Sequence, residues 1–449
     1  MSREGQAGIP PARAIALAVL GRVLPDPTRP PRGPGAGQDV QAALDAALDT
    51  PGLDPRDRGL ATELVYGYLR LRGRLEYILS RFLKNPDAVP MPVGRVLALA
   101  AYEILFCSKV PAYASVDWAV SAVRKRGGKG LSGMANAVLR RIAADPSVLA
   151  DPGFYCRDRC TEQEFLSRFY ACPEWIVAMW LRDGGREAAE AHLRAQIEPA
   201  PLGLRVNATK PGARELFDAL AGLPECTVAD FPTLALPAGS DTTPAGVDLG
   251  AALAAGRLSR QSAAAQLVLA RLGRDGWPEP VFDACAGRGG KTLALAEAGK
   301  HVFAGDMHAA KLSGLSREAH RLGLPPIAAF RASATRMPLA RAPGTILLDA
   351  PCSGLGVLSR RPDAKWRRRP EDLAGLVRLQ RAMLEAAYAN LAPGGRLVYV
   401  TCTTNPAENE QAVDRLGSRH RELVLEAEVP AVAEAGLGEA FYGAVLKKP

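Results

Sequence analysis

Three short stretches of this 449-residue chain carry residues whose types and spacing could do chemistry. "DACAGRGGKT" (283–292) is a glycine-rich turn containing Cys285, Ala286, Gly287, Arg288, Gly289, Gly290 and Lys291. "DAPCSG" supplies Asp349 and Cys352, and "VTCT" supplies Cys402. The turn ends like a phosphate-binding P-loop, but Cys285 stands where that motif needs glycine. It also resembles a dinucleotide-binding turn, but Thr292 occupies the third small position. The first departure disfavours a triphosphate and the second disfavours close passage of a pyrophosphate. A nucleoside cofactor without phosphates remains. Asp306 ends the next apolar segment, where an acid bonds the ribose hydroxyls of an adenosine-containing cofactor. S-adenosylmethionine fits these residues, and on the loop and Asp306 alone NAD stands at even odds with it.

The two thiols shift that balance. A thiolate is a strong nucleophile able to add to an electrophilic ring carbon. A lone cysteine is more often a small buried packing residue. Two that close apolar strands, one of them beside Asp349 and Pro351, argue for chemistry. Of the eight cysteines, Cys156 and Cys160 have no Cys or His partner at zinc spacing, so no metal site is expected. Scattered thiols suit a reducing cytosol.

The elements that must position these residues follow from periodicity. From about 251, apolar strands in "PVFDAC", "HVFAGD", "GTILLDA" and "GRLVYVTCT" alternate with helices such as "KTLALAEAG" and "LAGLVRLQRAMLEAAYANL". That pattern is α/β, a doubly wound Rossmann-like domain with its site at the carboxyl ends of the strands. The glycine turn, Asp306 and both cysteines then share one edge, and "RASAT" brings Ser333 to it. The first ~145 residues read as an all-helical bundle, with Leu60, Leu64, Tyr68, Leu71, Leu75, Leu79 and Phe82 stepping by three or four. Between them, "CPEWIVAMWLRDGGREAAEAHLRAQ" is a helix with Trp175 and Trp180 in a core, and "PLGLRVNATK" is a strand and turn. The division expected is 1–145 helical, 146–250 a small α+β domain, and 251–449 the cofactor domain. The Pro/Gly-rich stretch 24–40 reads as a flexible loop.

Charge points outward to a partner. The net charge of +9 suits a polyanion, or simply an Arg-rich composition. Arg360, Arg361, Lys365, Arg367, Arg368 and Arg369 crowd the segment after "DAPCSG", and RNA phosphate contacts are the favoured reading over a solvated face. Trp366 among them suits a stacked base and a core anchor equally. Arg124, Lys125, Arg126 and Lys129 form a second basic patch. Lys291 either faces the cofactor site or is a solvated cation at a helix start. No apolar run approaches the ~18 residues of a membrane span, and Arg22 cuts "AIALAVLG" short. A cytoplasmic protein is expected.

"DAPCSGLGVLSRRPDAKWRRR" with "YVTCTTNPAENE" resembles the RNA 5-methylcytosine methyltransferases, and the whole chain resembles their bacterial RsmB/Sun branch. "LDPRDRGLATELVYGYLR", "VPAYASVDWAV" and "GLSGMANAVLRRI" are similar to that branch's NusB-type RNA-binding domain. The resemblance implies S-adenosylmethionine as cofactor and small-subunit (16S) ribosomal RNA as partner. It implies that Cys402 attacks, Cys352 releases product and Asp349 assists. It requires no oligomer, and a monomer is expected. The residues alone do not choose between the thiols. Three departures stand out: Gly287-Arg288 where the family has Ala-Pro, Ser333 where it has Asp, and Thr403 where it has Ser. A non-catalytic RNA-binding assembly or antitermination factor is disfavoured by the intact Cys352, Cys402, Asp349 and Asp306. An NAD-dependent oxidoreductase is disfavoured by the missing glycine and the thiol pair.

Overall fold

The computed structural model describes residues 9–24, 39–157, 159–240, 246–434 and 436–449. Apart from its ends, the stretch 24–40 therefore lies outside the described residues. Two compact units form: Met1–Ile197 with Arg361–Arg367, and Glu198–Arg360 with Arg368–Pro449.

The first unit is helical. Its long helix Pro55–Phe82 starts cleanly because Asp54 accepts from Arg56 N at 2.7 Å and Pro55 pre-sets the first turn. Leu64, Tyr68, Leu71, Leu75 and Leu79 form its buried stripe, at the spacing read from sequence. The helical run Ala112–Ala144 breaks at Gly128, whose φ of 79° only glycine adopts without strain. "SVDWAVSAVRKRG" and "GLSGMANAVLRRIA" thus lie on its two sides. Glu103 is fully buried and is satisfied by Ser115 Oγ (2.6 Å), Trp118 Nε1 (2.7 Å) and Arg13 (2.7 Å). Trp180 is buried and Trp175 half-buried. Cys156 and Cys160 are joined by a disulfide, where the scattered cysteines had suited a reducing cytosol.

Residues 361–367 complete this unit and overturn part of the charge reading. Lys365 is buried, with Nζ donating to Arg70 O (2.7 Å) and to Gln196 Oε1. Burial among neutral acceptors pushes its pKa down to about 7. Trp366 donates to Leu69 O at 2.6 Å and packs against the helical core, so it is an anchor and not a stacking platform. Arg367 pairs with Asp363 at 3.0 Å. Lys365 serves packing rather than a nucleic acid.

The second unit holds two sheets. Strands β1 (Leu202–Val206), β2 (Thr227–Asp230), β3 (Thr233–Leu236) and β4 (Leu258–Arg260) form an antiparallel sheet in the order β2-β3-β1-β4. The larger sheet uses β5 (Val281–Asp283), β6 (Val302–Asp306), β7 (Ala329–Arg331), β8 (Thr345–Asp349), β9 (Arg396–Thr401), β10 (Val424–Val429) and β11 (Tyr442–Lys447). Its order is β10-β11-β9-β8-β5-β6-β7, parallel from β9 to β7 and antiparallel at β11 and β10. The chain winds from β5 to one side through β6 and β7, then returns to the other through β8. The switch point lies between β5 and β8, and the crevice at their carboxyl ends is where such folds bind ligands. The edge chosen from the sequence is that edge. Arg205 on β1 pairs bidentately with Glu297 (2.8 and 2.9 Å), both buried, and also donates to Gly290 O at 3.2 Å. It thereby fixes the helix Gly290–Glu297 that follows the glycine turn.

Candidate active site

The glycine turn is built by backbone demands. Gly287 and Gly289 have φ of 58° and 89°, and a Cβ on Gly289 would meet Leu315 Cγ at 2.7 Å. Ala286 N donates to Gly305 O and Gly289 N to Ala286 O, which pins the turn between β5 and β6. Asp283 staples it from beneath, accepting from Thr292 Oγ1 (2.7 Å) and Cys285 N (3.3 Å). Burial pushes the Asp283 carboxyl up to about 7 against the Thr292 bond. Cys285 is half-buried, and burial beside Asp283 pushes its thiol up, so it stays protonated.

Asp306 closes β6 and accepts from Gly287 N (3.0 Å) and His308 N (2.8 Å), with the His308 ring at 3.0 Å. Burial works against its charge, but the His308 N–H and ring, Lys311 and the Gly287 N–H outweigh burial and hold the carboxyl below its usual range. A fixed carboxylate beside a glycine backbone, with the exposed Met307 next to it, fits a ribose and the adenine it carries. These residues fit S-adenosylmethionine: Asp306 would hold the ribose and residues 285–291 would surround the rest. Arg288 is exposed on the turn. Ser333 has its Oγ within 2.8 Å of Thr335 Oγ1 and also accepts from Thr335 N, so its hydroxyl serves its own turn.

At the carboxyl ends of β8 and β9 the remaining residues converge. Lys291, buried on the first turn of its helix, reaches Asp349 Oδ2 at 2.7 Å. Burial disfavours its charge, but Asp349 and, beyond it, Cys402 raise its pKa above the ordinary value. Cys352 Sγ and Cys402 Sγ are 3.3 Å apart, and Cys402 N also points at Cys352 Sγ (3.4 Å). Cys352 is buried and Cys402 is half-exposed. The bond to Cys402, then burial, push the Cys352 thiol well up, so it keeps its proton. The arrangement offers one accessible sulfur in contact with one buried, protonated sulfur.

Of the basic run read as RNA contacts, Arg368 donates to Ser353 O and Cys352 O (both 3.3 Å), and Arg360 pairs with Glu439 at 2.8 Å. Arg368 holds the backbone at Cys352 and Ser353, Arg360 is taken up by Glu439, and Arg361 and Arg369 are each exposed. Sequence reasoning missed Asp283, Ser353 and Glu408. The last lies in "NPAENE", a stretch quoted only for its neighbours, and its signal was an acid inside a buried loop.

Family models match the chain in two places. "16S rRNA methyltransferase RsmB/F" covers residues 275–444, and "NusB family" covers 10–144. A probable ribosomal RNA small subunit methyltransferase B of Synechocystis sp. is 34% identical over 85% of this chain and 86% of its own. The ribosomal RNA small subunit methyltransferase B of Vibrio cholerae is 34% identical over 92% and 94%. The crystal structure of PH0851 superposes over 99% of this chain and 100% of its own, at a TM-score of 0.72 and 22% identity. NSun6 from Pyrococcus horikoshii, solved with SFG, covers 62% of this chain and 98% of its own, at a TM-score of 0.51 and 21% identity. At those identities the two structures speak for the fold.

Proposed function

The chain belongs to the RsmB/F family of 16S rRNA methyltransferases, and from that premise we propose that it methylates carbon 5 of a cytosine in 16S rRNA through a covalent bond to Cys402. S-adenosylmethionine supplies the methyl group. The observation that carries the reading is the 3.3 Å contact between an accessible and a buried thiol.

Carbon 5 of cytosine is a poor nucleophile until a sulfur adds to carbon 6. Cys402, half-exposed and close enough to Lys291 for their charges to interact, is the sulfur that attacks. As the S–C6 bond forms, the ring double bond moves its electrons toward carbon 5. The proton held between Lys291 Nζ and Asp349 Oδ2 is placed to satisfy ring nitrogen 3. Once carbon 5 is methylated, its hydrogen and the S–C6 bond are lost together: Cys352 hands its S–H proton to the departing Cys402 sulfur as its own sulfur takes the C5 hydrogen, and the C5–C6 double bond re-forms. Asp306 and residues 285–291 hold the cofactor, with Ser333 beside it in the turn after β7. Residues 1–145 hold RNA and 251–449 catalyse, in a monomer of the cytoplasm, while 146–250 divides between the helical unit (to Ile197) and the catalytic one (from Glu198).

Bisulfite sequencing of 16S rRNA from a strain lacking the gene tests the reading. One cytosine should become fully convertible, and the purified protein should restore its protection. An unchanged conversion pattern sinks the proposal.

A further inference from the structure

Glu408 is fully buried, and among the described residues no cation pairs with it. A buried carboxylate costs several kcal/mol unless donors surround it. Four neutral donors do. Oε1 accepts from Ser353 N and Gln380 Nε2 (3.0 Å each), and Oε2 accepts from Ser353 Oγ (2.5 Å) and Asn405 Nδ2 (3.2 Å). The donors come from both cysteine loops and from the helix Pro370–Asn390. Gln380 also donates to Pro351 O at 3.0 Å, so both sequence neighbours of Cys352 are gripped. Ser353 Oγ lies 2.6 Å from Thr403 Oγ1, which carries the link across to Cys402. Asn409, next in sequence to Glu408, holds the two neighbours of Cys402. It bonds Thr401 Oγ1 (2.6 Å), and its Nδ2 donates to Thr403 O (2.8 Å).

We infer that Glu408 is a positioning residue that holds Cys352 and Cys402 in register, acting through Ser353 and Thr403. It touches neither reacting sulfur. Its role is to fix the separation on which both the attack and the release depend. Glutamine at 408 has the same shape, but its amide nitrogen must face a donor, Ser353 or Asn405. The isosteric change therefore breaks the bridge without opening a cavity.

The inference rests on the proposed reaction, and its test separates the two. The full-length protein, reduced and then treated with diamide, reports thiol separation directly. The two thiols lose two hydrogens to the reagent's N=N bond and form a disulfide, which mass spectrometry finds as a Cys352–Cys402 linked peptide. Glu408→Gln should slow that link at least tenfold. S-adenosylhomocysteine affinity should stay within twofold. The kcat for RNA methylation should fall at least tenfold with KM for RNA unchanged, and adding Ser353→Ala should cost less than a further twofold. If Glu408→Gln does not fold, Ser353→Ala and Thr403→Val carry the same test. An unchanged linking rate in a folded variant overturns the inference. A slowed link together with a wild type that transfers no methyl to RNA leaves the positioning role standing and removes the proposed reaction.

Discussion

Lys291 Nζ lies 2.7 Å from Asp349 Oδ2, so the helix after the glycine turn and the end of β8 are joined by one buried cation at the mouth of the site. Burial disfavours the Lys291 charge, but Asp349 first and Cys402 after it hold its pKa above the ordinary value, so the two thiol-side groups are electrostatically linked to it. Removing the cation leaves Asp349 uncompensated and raises the energy of a Cys402 thiolate.

Lys291→Gln should therefore lower methyl transfer about 10- to 100-fold, the loss of one charge-assisted bond of about 1.5–3 kcal/mol. The pH profile of Cys402 alkylation by iodoacetamide should move to higher pH. An unmoved profile would show that Lys291 serves only Asp349.

The thiol pair gives opposite expectations for its two members. Cys402→Ser should abolish turnover and leave no covalent RNA, since a neutral hydroxyl is a far weaker nucleophile than a thiolate. Cys352→Ser should still attack carbon 6 but fail to release, accumulating a methylated RNA–protein adduct stable in denaturing electrophoresis. The buried, proton-bearing position of Cys352 motivates that order. An adduct seen with Cys402→Ser and not with Cys352→Ser reverses the assignment.

Asp306→Ala should weaken S-adenosylhomocysteine binding roughly tenfold or more, the equivalent of about 1.5–3 kcal/mol for a charge-assisted acceptor. The carboxylate is preset by the Gly287 and His308 N–H groups, so its removal also loosens the turn. Isothermal titration calorimetry measures the loss. Equal affinity would remove Asp306 from the cofactor site.

What could be read from the sequence divides along physical lines. Leu64 to Leu79 announce their helix because one face meets a core, and the apolar runs of β8 and β9 announce buried parallel strands. The thiols and Asp306 were legible because strand ends in such a sheet share one edge. β10 was not, since Val424 and Leu425 are exposed on an edge strand and lack a two-residue alternation. Nor was the fate of the basic run, since local sequence shows charge but not partners. Lys365 finds carbonyls in the helical unit, Arg368 finds Cys352 O, and Arg360 finds Glu439. Glu408 was hidden for the same reason: its donors arrive from positions 353, 380 and 405.

RNA affinity should depend on the other basic patch. Arg124, Lys125 and Lys129 are exposed around the Gly128 break. Replacing all three with Gln should flatten the dependence of log Kd on log salt by up to about 0.7–0.9 per lost phosphate contact, with cofactor affinity unchanged. Arg367→Gln should instead lower Tm and leave that slope alone, because it breaks the Asp363 pair. A constant slope in the triple variant would assign the patch to solvent.

Asp283 sets a pH dependence of stability. Its folded-state carboxyl is pushed up to about 7 from an ordinary 3.8, chiefly by burial, so the folded protein binds a proton that the unfolded chain gives up earlier. A raised folded pKa contributes stability that is fully present below about pH 4 and is lost as pH rises through about 7. Asp283→Asn removes the titration while keeping a side chain able to accept from Cys285 N and bond Thr292 Oγ1. The variant's stability relative to wild type should therefore grow between about pH 4 and 7 and then level off. The gain is at most about 4.5 kcal/mol, from about 3.2 pKa units at about 1.4 kcal/mol each. Urea unfolding at pH 4.5, 6 and 8 measures it. A difference between the two proteins that does not change with pH would mean that Asp283 is ionised throughout, with its Thr292 and Cys285 bonds outweighing burial.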